Sequence, residues 1–118
     1  MLAAYGGRCP ISHLPEPRLL DAAHIIMDAH EQLGQPVVSN GLPLTKLHHA
    51  AFDTHLIGVD PDYRVHVSDR LLEIHDGPFL ELGLKAIVGQ VIQLPRRNED
   101  RPDRDRLARR FEDFKNAA

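Results

Sequence analysis

Residues 39–53, Ser39-Asn40-Gly41-Leu42-Pro43-Leu44-Thr45-Lys46-Leu47-His48-His49-Ala50-Ala51-Phe52-Asp53, constrain the fold more than any other part of this 118-residue chain. Asn40-Gly41 is a strong turn pair. Pro43 at a first helical position opens a helix to about Thr54, with Leu44, Leu47, Ala51 and Phe52 on its buried side. His49 and Asp53 are four residues apart, so they share one helix face with Cβ atoms about 5–6 Å apart. A divalent cation held there would meet an imidazole on one side and a carboxylate on the other. Upstream, residues 19–27 form a mostly apolar run containing Asp21 and His24, short enough for a strand yet ambiguous with helix. Val37-Val38-Ser39 reads as a second short strand closed by Asn40-Gly41. The expected order is strand, strand, helix.

The remainder is less sharply written. Residues 9–17 read as a loop broken by Pro10, Pro15 and Pro17, and residues 28–36 as a polar connection. Residues 56–59 and 63–67 predict a hairpin about Asp60-Pro61-Asp62. Weaker helices are expected over 70–74 and 79–88, separated by Gly77-Pro78, with a last strand over 90–94. Residues 102–115 predict an amphipathic helix with Leu107, Phe111 and Phe114 on one stripe. The chain fits a single domain on a modest core. No apolar run approaches a bilayer span and residues 1–7 are too short for a signal sequence, so no membrane role and a cytoplasmic location are expected. Cys9 stands alone, which excludes an internal disulfide and a four-cysteine zinc knuckle. The net charge of −3 conceals an asymmetry: residues 1–94 carry six Lys/Arg against eleven Asp/Glu, and residues 95–118 carry eight against six. A chain so charged does not grip nucleic acid by a basic surface alone.

The series His24, Asn40, His49, Asp53 suits hydrolysis of a phosphodiester. That reaction needs an activated water, stabilisation of charge on phosphorus oxygens, and help for the leaving oxygen. A neutral imidazole, with an unperturbed pKa of about 6.5, can take the proton from water. A divalent ion supplies the other two needs as a Lewis acid. The sequence offers one candidate base on the first strand and two candidate ligands on the helix.

In the order His, Asn, His, with Ala22-Ala23-His24-Ile25-Ile26 and the text of residues 39–62, the chain resembles the HNH (ββα-metal, His-Me finger) endonucleases, and within them the C-terminal nuclease domains of putative HNH restriction endonucleases. The likeness continues through Asp76-Gly77-Pro78 and Leu94-Pro95-Arg96, covering about residues 5–115. It implies an α+β fold: a ββα-metal core over about residues 8–60, and a C-terminal extension over about 61–118 with an additional hairpin and a C-terminal helix, all in one HNH domain, 1–118. It implies a metal-dependent DNA endonuclease working with one metal, with His24 as general base, Asn40 aligning that base, and His49 and Asp53 as ligands. Mg²⁺ is the ion expected, with Mn²⁺, Ni²⁺ or Zn²⁺ as alternatives, and the cut ends would be 5′-phosphate and 3′-hydroxyl. DNA is the partner so implied. The module would serve a restriction system, whose relatives often carry an N-terminal recognition domain; a partner subunit and a homodimer stay open.

Two departures qualify the resemblance. The position before His24, a ligand in many members, is Ala23, so Asp53 or, as a weaker substitute, Asp21 would supply the carboxylate. His48 and His49 are adjacent and point about 100° apart on a helix; His49 is favoured as ligand because it shares a face with Asp53, with His48 the lesser candidate. Cys9, His13 and His48 would be the remnant of a structural zinc site that is incomplete here. Outside the motif, His13, His30, His55, His66 and His75 read as surface or local hydrogen-bonding residues, and Cys9 as a small buried hydrophobe. Arg96, Arg97 and Arg101 are candidate DNA-backbone contacts; with the cluster up to Arg110 they otherwise read as a solvated face. The alternative function is a non-catalytic nucleic-acid-binding or protein-interaction module on a degenerate HNH fold; an RNA-cleaving toxin is a third.

Overall fold

A computed structural model describes residues 1–27 and 37–117. The connection over residues 28–36, with His30, lies outside the described residues. The element order is β1 (Leu20–His24), β2 (Gly41–Thr45), α1 (Lys46–Asp53), β3 (Ile57–Val59), β4 (Val65–Val67), α2 (Asp69–Leu72), α3 (Pro78–Leu80) and α4 (Arg104–Asn116). Single 3₁₀ turns cover Ala3–Tyr5, Pro17–Leu19, Val38–Asn40 and Asn98–Asp100, and α3 continues as a π-helical stretch over Glu81–Lys85.

β1 and β2 form an antiparallel ribbon running from Leu20 opposite Thr45 to His24 opposite Gly41. Side chains alternate across a strand, so Asp21 and Ala23 share a face with their partners Leu44 and Leu42. Ala23, Leu42 and Leu44 are fully buried there, in one core with Ala51 and Phe52 of α1. By the same alternation His24, half-buried, belongs to the side of Ala22 and Gly41 at the last rung of β1.

Two expectations about this region are corrected. Val38 and Ser39 are not strand but part of a 3₁₀ turn that ends at Asn40, whose N–H donates to the Val37 carbonyl at 2.9 Å. Pro43 does not open the helix; it lies inside β2, opposite Ala22. A two-stranded ribbon leaves each strand an outer edge where proline's missing N–H is not needed. The helix starts three residues later, at Lys46, because Thr45 is its N-cap: the Thr45 hydroxyl accepts from the His48 N–H at 3.1 Å. Leu44 is therefore a core strand residue and not part of the helix.

α1 ends in a Schellman arrangement. The Leu56 N–H donates to the Ala51 carbonyl and the His55 N–H to the Phe52 carbonyl, with His55 in the left-handed region at φ 60°. The chain then enters the β3–β4 hairpin, paired from Ile57 opposite Val67 to Val59 opposite Val65, as the sequence predicts. At its tip Asp60 Oδ1 accepts from the N–H groups of Asp62 and Arg64. The helices expected over 70–74 and 79–88 are shifted and shorter, and the strand expected over 90–94 is reduced to a bridge between Val91 and Arg64. Gly77 and Gly89, at positive φ, break the chain around these pieces.

α4 is the amphipathic helix of the sequence pattern. Asp103 caps it by accepting from the Arg106 N–H, and Leu107 is fully buried. It lies on β3 at Gly58, where a Cβ would come within 2.7 Å of the Phe114 ring. Only glycine lets the helix approach the hairpin so closely.

Candidate active site

β1 and α1 present the candidate residues to one another through the face that Asp21 and Ala23 share. His49 Nε2 lies 3.0 Å from Asp53 Oδ2, and His49 Nδ1 lies 3.0 Å from Asp21 Oδ2. The imidazole is thus held at both nitrogens by carboxylates from different elements. Lys46, one turn before His49, reaches Asp21 Oδ1 at 2.6 Å. Hydrogen bonds from His49 and then Lys46 hold the Asp21 carboxyl below its ordinary range. Ala23, at the position where many members of the resembled family have a ligand, is fully buried and offers none.

Asn40 is fully buried and makes a two-point clamp on Ile26: its Oδ1 accepts from the Ile26 N–H at 2.9 Å and its Nδ2 donates to the Ile26 carbonyl at 3.0 Å. The backbone adds a third link, the Ile25 N–H donating to the Asn40 carbonyl. The segment leaving His24 is therefore tied to the turn that precedes β2.

His48 faces away from this pair. It is buried, with Nδ1 2.8 Å from the Thr45 hydroxyl and Nε2 2.6 Å from the Gly83 carbonyl. Its neighbour Cys9 is fully buried and accepts from the Ser12 N–H. Burial raises the Cys9 thiol, but the hydrogen bonds from His48 and Ser12 outweigh it and bring its pKa down to about 6. His13 is exposed in a left-handed turn. Cys9, His13 and His48 make no zinc site: among the described residues no three His, Cys, Asp or Glu side chains converge as a cation site.

Two donors do converge, and they fit a small divalent ion. Metal–ligand bonds of about 2.1 Å at right angles put neighbouring donors about 3 Å apart, the separation of His49 Nε2 and Asp53 Oδ2. An octahedral ion of the Mg²⁺ kind is commonly held by one or two carboxylates with water and substrate phosphate completing its shell. Asp21 on Nδ1 stands where a metal-binding histidine would have the carboxylate that fixes its ring. Asp21 thus engages the nitrogen that does not face Asp53.

One side chain beside these residues has no counterpart in the sequence motif. Arg110 of α4 is buried, donates from Nη2 to the Phe52 carbonyl at 2.7 Å and from Nη1 to the Ile25 carbonyl at 3.3 Å, and stacks on Phe52. Its Nη2 is 3.7 Å from Asp53 Oδ1. The signal was present: Arg110 is three residues beyond Leu107 and four before Phe114, on the apolar stripe rather than the solvated face. Arg97 pairs with Glu99, Arg101 donates to the Pro95 carbonyl and Arg96 is exposed.

A two-stranded antiparallel ribbon leading into a helix, with an imidazole and a carboxylate meeting one turn apart on that helix, defines an α+β fold of the ββα-metal class. Residues 9–60 match the model of the HNH endonuclease family. A solved structure titled "Modification dependent TagI restriction endonuclease" superposes with a TM-score of 0.64 over 95% of this chain at 17% identity, a likeness of fold. The chain spans 35% of that protein's length. No curated protein sequence matches it significantly.

Proposed function

We propose that the domain cleaves DNA by hydrolysing phosphodiester bonds with one divalent ion, as the cleavage module of a restriction system. The observation that carries this is the His49–Asp53 pair at ligand spacing, with the outer edge of the imidazole held by Asp21. When bound, the ion would polarise the phosphate and the leaving oxygen. His49 Nε2 and Asp53 Oδ2 are the atoms that would hold it. His24 would accept the proton from the attacking water as the new P–O bond forms and the P–O3′ bond breaks, leaving 5′-phosphate and 3′-hydroxyl ends. The pleat alternation supports a separate task for His24, because it is not on the Asp21–Ala23 face of β1. Asn40 would keep His24 in place by fixing Ile26, two residues along.

The competing reading, a non-catalytic binding module, draws on Ala23 and on a donor set that, among the described residues, is two side chains. Plasmid cleavage in Mg²⁺, Mn²⁺, Ni²⁺ and Zn²⁺, with an EDTA control and a structured RNA alongside, separates the readings. The proposal expects nicking or linearisation with at least one ion, abolished by EDTA and reduced about 10²–10⁴-fold in His24→Ala with metal affinity kept. DNA binding without cleavage in every ion supports the non-catalytic module; cleavage confined to RNA supports the toxin.

A further inference from the structure

Resting on the metal-site reading above, we infer that Arg110 is a positioning residue of the active centre, which makes the C-terminal helix a working part of the nuclease site. Asp53 is the last residue of α1, where the negative end of the helix dipole opposes a carboxylate. Arg110 answers this on both counts. It donates to the Phe52 carbonyl at that helix end, and its guanidinium lies 3.7 Å from Asp53 Oδ1. With Oδ2 toward His49 and Oδ1 toward Arg110, the carboxylate is oriented to offer a single oxygen to an ion.

The other arm of the guanidinium reaches the Ile25 carbonyl, the residue after His24. One side chain therefore spans the end of β1 and the end of α1, the two places that carry the candidate base and the candidate ligand. Burial alone does not explain it. The guanidinium is buried, and its Nε has no hydrogen-bond partner among the described residues. A leucine would fill an apolar stripe position without either cost. Further up α4, the Asp103 N–H donates to the Ser39 carbonyl and Arg106 reaches the Ser39 hydroxyl, so the same helix also braces the turn that delivers Asn40.

Mn²⁺ titration calorimetry on the whole chain tests this without turnover. Arg110→Gln removes the charge; Arg110→Lys keeps a cation but loses the planar fork that holds two carbonyls beside a carboxylate. Each should weaken Mn²⁺ binding about 10–100-fold, the usual effect of losing an outer-shell partner. Leu107→Val loosens the same helix without touching Asp53 and should leave Mn²⁺ affinity within twofold. Should Arg110→Gln not fold, Arg110→Lys carries the comparison. Wild-type affinity in a folded Arg110 variant, or an equal loss in Leu107→Val, overturns the inference. Asp53→Ala separates the two levels: if it binds Mn²⁺ like the wild type, the metal-site reading fails. If it loses binding while the Arg110 variants do not, only the role of Arg110 fails.

Discussion

Asn40 holds Ile26 by both ends of its amide, accepting from one peptide group and donating to the next, in a setting fully removed from water. A buried side chain that satisfies two backbone groups cannot be shortened without leaving both unpaired. Asn40→Ala should therefore cost about 2–4 kcal/mol, and Asn40→Asp at least as much, since a carboxylate cannot donate to the Ile26 carbonyl. Chemical denaturation gives the first number. Cleavage should fall in the folded fraction while Mn²⁺ affinity stays near wild type. An Asn40→Ala protein of unchanged stability and activity would remove the clamp from the account.

The adjacent histidines should separate cleanly. His49→Ala should weaken divalent binding in calorimetry by at least tenfold, the scale on which outer-shell partners already act. His48→Ala should lower stability, because the Thr45 hydroxyl and the Gly83 carbonyl lose their partner, and should leave metal affinity alone. The reverse order of effects on affinity would move the site from His49 to His48.

Much of this was legible in the sequence. The i,i+4 spacing of His49 and Asp53 is a local property of a helix, so it survived a wrong choice of helix start. The start differs from the expectation because Pro43 suits both a first helical turn and an outer strand edge, and periodicity cannot choose between them. The Thr45-x-x-His48 cap was the better signal, since it satisfies a specific N–H. Arg110 is hidden in a basic cluster of the kind that usually faces water, yet it is buried. Its place on the Leu107–Phe114 stripe could have been noticed, but its partners Ile25, Phe52 and Asp53 are contacts across the chain that no local pattern encodes. The sequence offers Asp21 only as a substitute ligand, and its contact with His49 Nδ1 comes from the fold.

His55 ends α1 in a left-handed conformation that most residues adopt at a cost of about 1–2 kcal/mol. Its Nδ1 is buried with no hydrogen-bond partner among the described residues. Glycine suits the position and gives up part of the gain through its freer unfolded chain. His55→Gly should raise stability by about 0.5–1 kcal/mol, read as a Tm increase of a few degrees. A lower Tm would mean that ring packing outweighs the backbone term.

Affinity for DNA should be weak and only mildly dependent on salt. Residues 1–94 are net acidic, and the basic surplus of residues 95–118 is largely engaged within the fold. Arg106 and Arg110 are buried, Arg97 pairs with Glu99, Arg104 approaches Asp62 and Lys115 pairs with Glu112. Few cations remain to displace counterions, and each phosphate contact contributes only about 0.9 to the slope of log K against log salt. Binding to a short duplex in Ca²⁺, measured by fluorescence anisotropy across a salt series, should be micromolar or weaker at physiological salt, with a shallow slope. Substituting Arg96 with Ala should reduce that slope by about one if it touches a phosphate. A nanomolar, sequence-specific complex formed by these 118 residues without metal would contradict this, and would place a recognition surface within the chain itself.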